Sequence, residues 1–326
     1  MLGSGVLLFV SAHWNMLSPG GRFVLVLLLV ASFHAAAVAT ADRSRALATT
    51  LHAVGTAALG AGIFLGGQVF NLDEHWPTGL MLWTLGAACA WALLREWPQM
   101  AWTAILLPAW LLAEWAVAID ENLYFSLESA RVAACGSFLL AVTYFTGVRS
   151  ERPSLHRDVL VWIGGISLIP SSLFLAAVSY DSAARTLPPV PMGLLTIGWT
   201  VAIGLPLIVA IGLRQRAAWT SVLAILWVLA LVGLRPIVGK LFVYPWWATG
   251  AAALAYWGVR EARTERVNMG SAIFAGTVFT FYFSQVMDKL GRSASLAGLG
   301  LLFLAGGWML ERLRRHLVFQ ARGGQA

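Results

Sequence analysis

From Phe23 to Thr40 the chain runs FVLVLLLVASFHAAAVAT, and the next five residues, Ala41 to Arg45, read ADRSR. Wound as an α-helix, the first segment would extend about 27 Å, close to the roughly 30 Å hydrocarbon layer of a bilayer. The charges that follow close it abruptly. One membrane-spanning helix, ended by a basic turn, is the direct reading.

The same rhythm repeats along the chain. A short apolar run, Leu2–His13, comes before it. After it come Ala46–Phe70, Thr78–Leu94, Ala101–Ile119, Val132–Val148, Val159–Tyr180 and Met192–Leu213. Four more follow: Ala217–Leu234 (with room to continue past Arg235 and Pro236), Val243–Val259, Met269–Met287 and Ser295–Leu310. The pattern predicts an all-α, polytopic integral membrane protein of about 12 transmembrane helices without a soluble domain. Residues 1–310 form a single transmembrane domain in this reading, and 311–326 a basic cytoplasmic tail. Val10-Ser11-Ala12 is small enough for a signal peptidase, but no positive n-region precedes it, so the first segment reads as a retained helix.

Composition agrees. Of 326 residues, 59% are hydrophobic and 11% charged, with mean hydropathy +0.75. A soluble domain carries about 25% charged residues, so a water-soluble enzyme is excluded. The net charge of +7 has a topological explanation that needs no nucleic acid. Of the 22 Lys and Arg residues, 15 fall after even-numbered spans or in the tail and 7 after odd-numbered ones. Cytoplasmic loops are enriched in Lys and Arg, which puts the even loops and both termini in the cytoplasm. Anionic headgroups are then natural partners. Cys89 and Cys135 lie in apolar runs without C-x-x-C spacing, and read as free thiols. No phosphate loop, serine elbow or zinc helix is present.

The stretch from Gly60 through Gly66, Gly67, Gln68, Val69, Phe70, Asn71 and Leu72, then His75-Trp76-Pro77-Thr78-Gly79 and Leu82-Trp83, resembles the bacterial membrane proteins grouped as domain of unknown function 2157. Ser11-Ala12-His13-Trp14-Asn15 and Leu17-Ser18-Pro19 fit the same pattern. The resemblance is best over about residues 1–115. It implies a bacterial inner-membrane protein and brings no established activity with it.

Polar residues inside apolar spans are costly, and are therefore candidates for a site. Glu114, Gln68, Arg235 and Gln285 lie in spans that all run outward in the inferred topology, and each sits towards the outer end. Asn71, Asp73, Glu74 and His75 continue the same level, as do Lys240 and Asp288. A periplasm-facing cavity lined by Gln68, Glu114, Arg235 and Gln285 would account for them, and Asn71 and His75 join these four as candidate substrate or ion ligands. Glu114 with Arg235 would make an ion pair, flanked by Trp110 and Trp115. Asp73, Glu74, Lys240 and Asp288 read as interfacial residues.

Ala58, Gly62 and Gly66 form a small-residue stripe suited to close helix packing. His34 and His52 flank one hairpin, each about 13 Å from its turn, so they could face each other. Two facing imidazoles can ligate haem or a metal; hydrogen-bonded packing is the simpler reading, and no metal or cofactor is expected. Pro108, Pro170, Pro206 and Pro236 mark candidate helix discontinuities.

The functional expectation is a transporter or permease of a small or amphipathic solute. The alternatives are a membrane-embedded enzyme acting on a lipid-linked substrate, and a non-catalytic scaffold or assembly protein.

Overall fold

The computed structural model describes residues 18–69, 75–120, 126–147, 155–180 and 190–286, with 298, 300, 304, 306–308, 311, 312 and 315. The expected first span, Leu2–His13, lies outside these residues, and the expected twelfth, Ser295–Leu310, lies almost wholly outside them. All regular structure among the described residues is helical. Ten α-helices follow one another: α1 (Pro19–Thr40), α2 (Arg45–Val69), α3 (Pro77–Leu94), α4 (Trp97–Asp120), α5 (Leu127–Phe145), α6 (Leu155–Tyr180), α7 (Met192–Arg214), α8 (Trp219–Val238), α9 (Val243–Arg260) and α10 (Thr264–Phe281). Short 3-10 turns at Gln215–Ala218 and Lys240–Phe242 bracket α8, and a π-turn, Tyr282–Val286, extends α10.

Six of these helices, α1 to α4, α6 and α7, are long and apolar enough to cross a membrane. The apolar part of α8, Trp219–Leu234, is shorter. The protein is thus a multi-pass α-helical membrane protein. The expected spans two to eleven each coincide with a helix, within about five residues at either end. Pro108, Pro170 and Pro206 do not break their helices, because α4, α6 and α7 each continue through them. Pro77, by contrast, opens α3 at its first turn, where a missing N–H costs nothing.

The chain divides into two compact units. The first holds α1 to α4 and the adjoining starts of α5 and α6. Here α1 packs along α2, and α3 along α4. Gly62 and Gly66 of the expected small-residue stripe are buried. A Cβ on Gly62 would come within 2.6 Å of a Val26 methyl, and one on Gly66 within 3.5 Å of the Phe23 ring. The stripe thus sets how closely α1 approaches. Farther along, the Trp83 indole lies over Gly60 and donates Nε1–H to the carbonyl of Thr56 at 2.8 Å.

The second unit holds the rest of α5 and α6, with α7 to α10. Its core runs along α5, where Ala134, Cys135, Phe138, Leu139 and Leu140 are buried. Phe138 meets Trp227 and Trp247 with ring centroids 5.9 and 5.6 Å apart. The α9–α10 hairpin is tightly packed because two glycines admit backbone to backbone. A Cβ on Gly270 would lie 2.6 Å from the carbonyl oxygen of Ala251, and one on Gly258 2.8 Å from that of Arg263.

Candidate functional site

Glu114 sits in the C-terminal half of α4, and His75 in the turn that opens α3. The turn is fixed locally, since the His75 carbonyl accepts from the Thr78 amide at 2.9 Å and the Trp76 carbonyl from that of Gly79 at 3.2 Å. Because α3 and α4 form an antiparallel hairpin, the start of one lies beside the end of the other. His75 Nε2 consequently reaches Glu114 Oε2 at 2.5 Å. The second oxygen, Oε1, accepts from Trp110 Nε1 at 2.8 Å, one helical turn earlier. Both carboxylate oxygens are engaged, while the side chains remain 42% and 35% exposed for His75 and Glu114 respectively.

The charge partner of Glu114 in the structure is His75, and the side chain of Arg235 lies outside the described residues. Trp110 acts on Glu114 as a hydrogen-bond donor. Trp115 gives its N–H to the Ser129 carbonyl at 3.0 Å. Gln68 is exposed near the end of α2, and Gln285 is half-buried in the π-turn of the second unit. Asn71, Asp73, Glu74 and Asp288 lie outside the described residues, as does the Lys240 side chain.

The facing histidines do meet. His34 Nδ1 and His52 Nδ1 are 2.8 Å apart, and the ring centroids are separated by 5.1 Å. Gly55 makes room for them: a Cβ there would lie 2.7 Å from His34 Nε2. No group of three His, Cys, Asp or Glu side chains converges among the described residues. The pair instead opens a buried polar network. The Thr56 hydroxyl lies 3.2 Å from the His52 carbonyl and 2.7 Å from Gln99 Oε1. One turn nearer the helix start, Thr49 donates to Glu96 Oε1 at 2.9 Å.

Gln99 is fully buried, and its Nε2 lacks a partner. The network links α1, α2 and α4. Its sequence signal is spacing: Thr49, His52 and Thr56 on α2, and Glu96, Gln99 and Thr103 at the start of α4, fall three and four residues apart, which stacks them on one helix face.

A second buried cluster lies in the second unit, where sequence reasoning assigned only loop arginines. Arg214 ends α7, Arg266 lies in the first turn of α10, and they are only 5% and 1% exposed. Their guanidinium carbons lie 4.3 and 5.1 Å from the ring centroid of Trp257. Arg266 donates to Glu261 Oε2 at 2.5 Å and to the Thr146 carbonyl at 2.9 Å. The Trp257 N–H takes the other oxygen, Oε1, at 2.6 Å. Partial burial pushes the Glu261 carboxyl up, but the Arg266 charge and these two donated hydrogen bonds outweigh it and hold the group below its ordinary range.

Arg214 is less well served. Its Nη1 donates to Thr220 Oγ1 at 2.5 Å, whereas Nε and Nη2 are buried without a partner. A cation–π contact contributes about 0.5–2 kcal/mol. Removing an ion from water costs several kcal/mol. The indole face alone does not offset that cost.

Fold and buried polar networks together define a class, the multi-pass helical membrane proteins whose helices carry specific polar contacts in their interior. Comparison with known families narrows this for part of the chain. Residues 1–100 match the family model described as "Predicted membrane protein (DUF2157)", the family that the Gly60–Trp83 stretch resembles. The match takes in the histidine pair, Thr56, Gln99 and His75, and stops short of Glu114 and of the second unit. No curated protein and no solved structure matches the chain.

Proposed function

We propose that the protein is a carrier of a small or amphipathic solute in the bacterial inner membrane, with both termini cytoplasmic and the His75–Glu114 pair as its coupling group near the periplasmic end. The supporting observation is the pair itself: an imidazole and a carboxylate in contact at 2.5 Å, both more than a third exposed. Imidazole is the side chain whose charge changes most readily near neutral pH. A cationic solute, or a proton, competes with His75 for Glu114, which gives the acid two alternative occupants. Twelve spans belong to the same proposal: the six qualifying helices, α5, α8, α9 and α10, and the two terminal apolar runs. Lysine and arginine counts orient them.

The test is electrical. Proteoliposomes on a solid-supported membrane are challenged with a panel of amino acids, sugars and amphipathic amines over a range of pH. Wild type is expected to give a solute-dependent transient current that falls away in Glu114→Gln and in His75→Ala. Currents unchanged in both variants, or no current with any solute, overturn the proposal. Reporter fusions that place Arg312–Arg322 outside the cell overturn the orientation.

A second reading has one observation in its favour. A carboxylate holding an imidazole by one nitrogen is the orienter–base half of a nucleophilic site. Under that reading the protein acts on a lipid-linked substrate. Deletion would change a lipid species, and wild type but not His75→Ala would restore it.

A further inference from the structure

We propose that Arg214 binds a phosphate group through the guanidinium edge formed by its Nε and Nη2, at the junction of α7, α8, α9 and α10. The inference is independent of the His75–Glu114 reading, because the two sets of residues lie in different units and share no side chain.

The argument is a count of donors and charges. Arg214, Arg266 and Glu261 meet here, and Glu265 and Arg263, of opposite charge, also act on Arg266. Glu261 is fully used, with one oxygen on Arg266 and the other on the Trp257 N–H. Arg266 is neutralised by that contact and its Nη2 is taken by the Thr146 carbonyl, which leaves its Nε as a single unmet donor. One positive charge remains, and it belongs to Arg214, which is 5% exposed.

The unpartnered donors on Arg214 are specific. Nη1 is committed to Thr220, and the two left over are Nε and Nη2. Their N–H bonds point in one direction from the same edge of the guanidinium plane. That edge is the fork that matches two oxygens of an oxyanion. Trp257 lies against the guanidinium face, so an anion would meet the edge, where both nitrogens are buried. A lone oxygen or a carbonyl would satisfy one donor; a phosphate satisfies both and supplies the missing negative charge.

The position favours phosphate over other oxyanions. Arg214 lies at the end of a helix that meets the length and hydropathy needed to cross a bilayer, so it sits at headgroup depth, where lipid phosphates are the abundant anions. Trp219, 60% exposed, begins the next helix and is the residue type that favours the headgroup level. Two chain reversals border the cluster in left-handed backbone without glycine. Gln215, next to Arg214, has φ +49, and Ala262, next to Glu261, has φ +54. Such conformations persist where their surroundings hold them. Headgroup phosphate and free phosphate share the same recognition chemistry, and the experiment separates them.

The full chain is purified in phosphate-free maltoside micelles, and thermal unfolding is followed at constant ionic strength set with chloride. One arm titrates inorganic phosphate, a second dioctanoylphosphatidylglycerol, and a third dioctanoylglycerol, which lacks the phosphate. A ligand that binds only the folded state raises Tm in proportion to its occupancy. The expected result is a saturable rise with phosphate, with the phosphatidylglycerol, or with both, and none with dioctanoylglycerol. A rise with the lipid alone assigns the site to headgroups, and a rise with phosphate alone to a soluble phosphate compound.

Arg214→Gln should abolish the response. Arg214→Lys, which keeps the charge and loses the fork, should weaken apparent affinity about tenfold. If neither variant folds, the wild-type titrations decide by themselves. Absence of a saturable rise in wild type with either phosphate ligand overturns the proposal. So does an equal response in Arg214→Gln.

Discussion

Thr56 and Gln99 give the sharpest test of how the first unit is held together. The Thr56 hydroxyl has one proton and two acceptors in reach, Gln99 Oε1 at 2.7 Å and the His52 carbonyl at 3.2 Å. Gln99 has only Thr56, and the other end of its amide is already unpartnered. The two partners are therefore unequal.

Thr56→Val removes the sole partner of a fully buried amide. An unsatisfied buried polar group costs about 1–3 kcal/mol, and single interhelical hydrogen bonds in membranes average nearer 0.6 with a maximum of about 1.7. A loss of about 1–2 kcal/mol is expected. Gln99→Met removes the amide altogether at similar length. Thr56 then falls back on the His52 carbonyl, and an unpartnered group disappears, so the change is expected to lie within about 0.5 kcal/mol of wild type or to stabilise. The double variant should track Gln99→Met alone. The assay is reversible unfolding of the full chain in mixed micelles, read as a double-mutant cycle. If Gln99→Met costs more than Thr56→Val, or if Thr56→Val is neutral, this description of the network is wrong.

Further tests address the other contacts. Gly270→Ala should destabilise by about 1–3 kcal/mol, because the new methyl meets the backbone of Ala251 and Ala255 and overpacking forces the helices apart; Gly276→Ala, with open space around it, should be near neutral in the same unfolding assay. The Glu261 carboxyl titrates below its ordinary range in the folded protein, held down by the Arg266 charge and two donated hydrogen bonds. Its contribution is therefore complete above the ordinary range and is lost as pH falls through the lower folded value. The stability gap between wild type and Glu261→Gln should accordingly be constant near neutral pH and close only in acid. His75→Ala and Glu114→Gln should each change stability by at most about 1 kcal/mol, the range for exposed ion pairs. A large loss of transport current without a loss of stability would then separate function from folding.

Helix positions were legible because their causes are local. Apolar length, closing charges and Pro77 at a first turn need no knowledge of neighbours, and α1 to α10 begin and end close to where those signals lie. Partners were not legible, because they depend on how each helix is rotated and on which hairpin closes. Glu114 was visible as an acid inside an apolar run. That His75 reaches it follows from the α3–α4 hairpin, which places residues 39 positions apart side by side. The histidine pair was found because both residues flank one turn at equal depth. Arg214 and Arg266 were counted correctly as basic residues at helix ends, yet a count carries no burial. Only the packing of Trp257 between α7 and α10 shows that they are interior.

The two units solve one problem by different chemistry. Between helices in lipid, apolar surface gives little preference for one neighbour over another, since acyl chains are as apolar as leucine. Polar contacts and close glycine approaches must supply the selectivity. In the first unit the interior contacts are mainly imidazole, hydroxyl and amide, arranged three and four residues apart on α2 and α4. In the second they are charged, and Arg266 ties the start of α10 to the end of α5 through the Thr146 carbonyl. The first network leaves two atoms over, the Gln99 Nε2 and one oxygen of Glu96. In the second, a single guanidinium at the end of α7 has two unmet donors on one edge, and that paired geometry, which a spare amide lacks, is what points to an oxyanion.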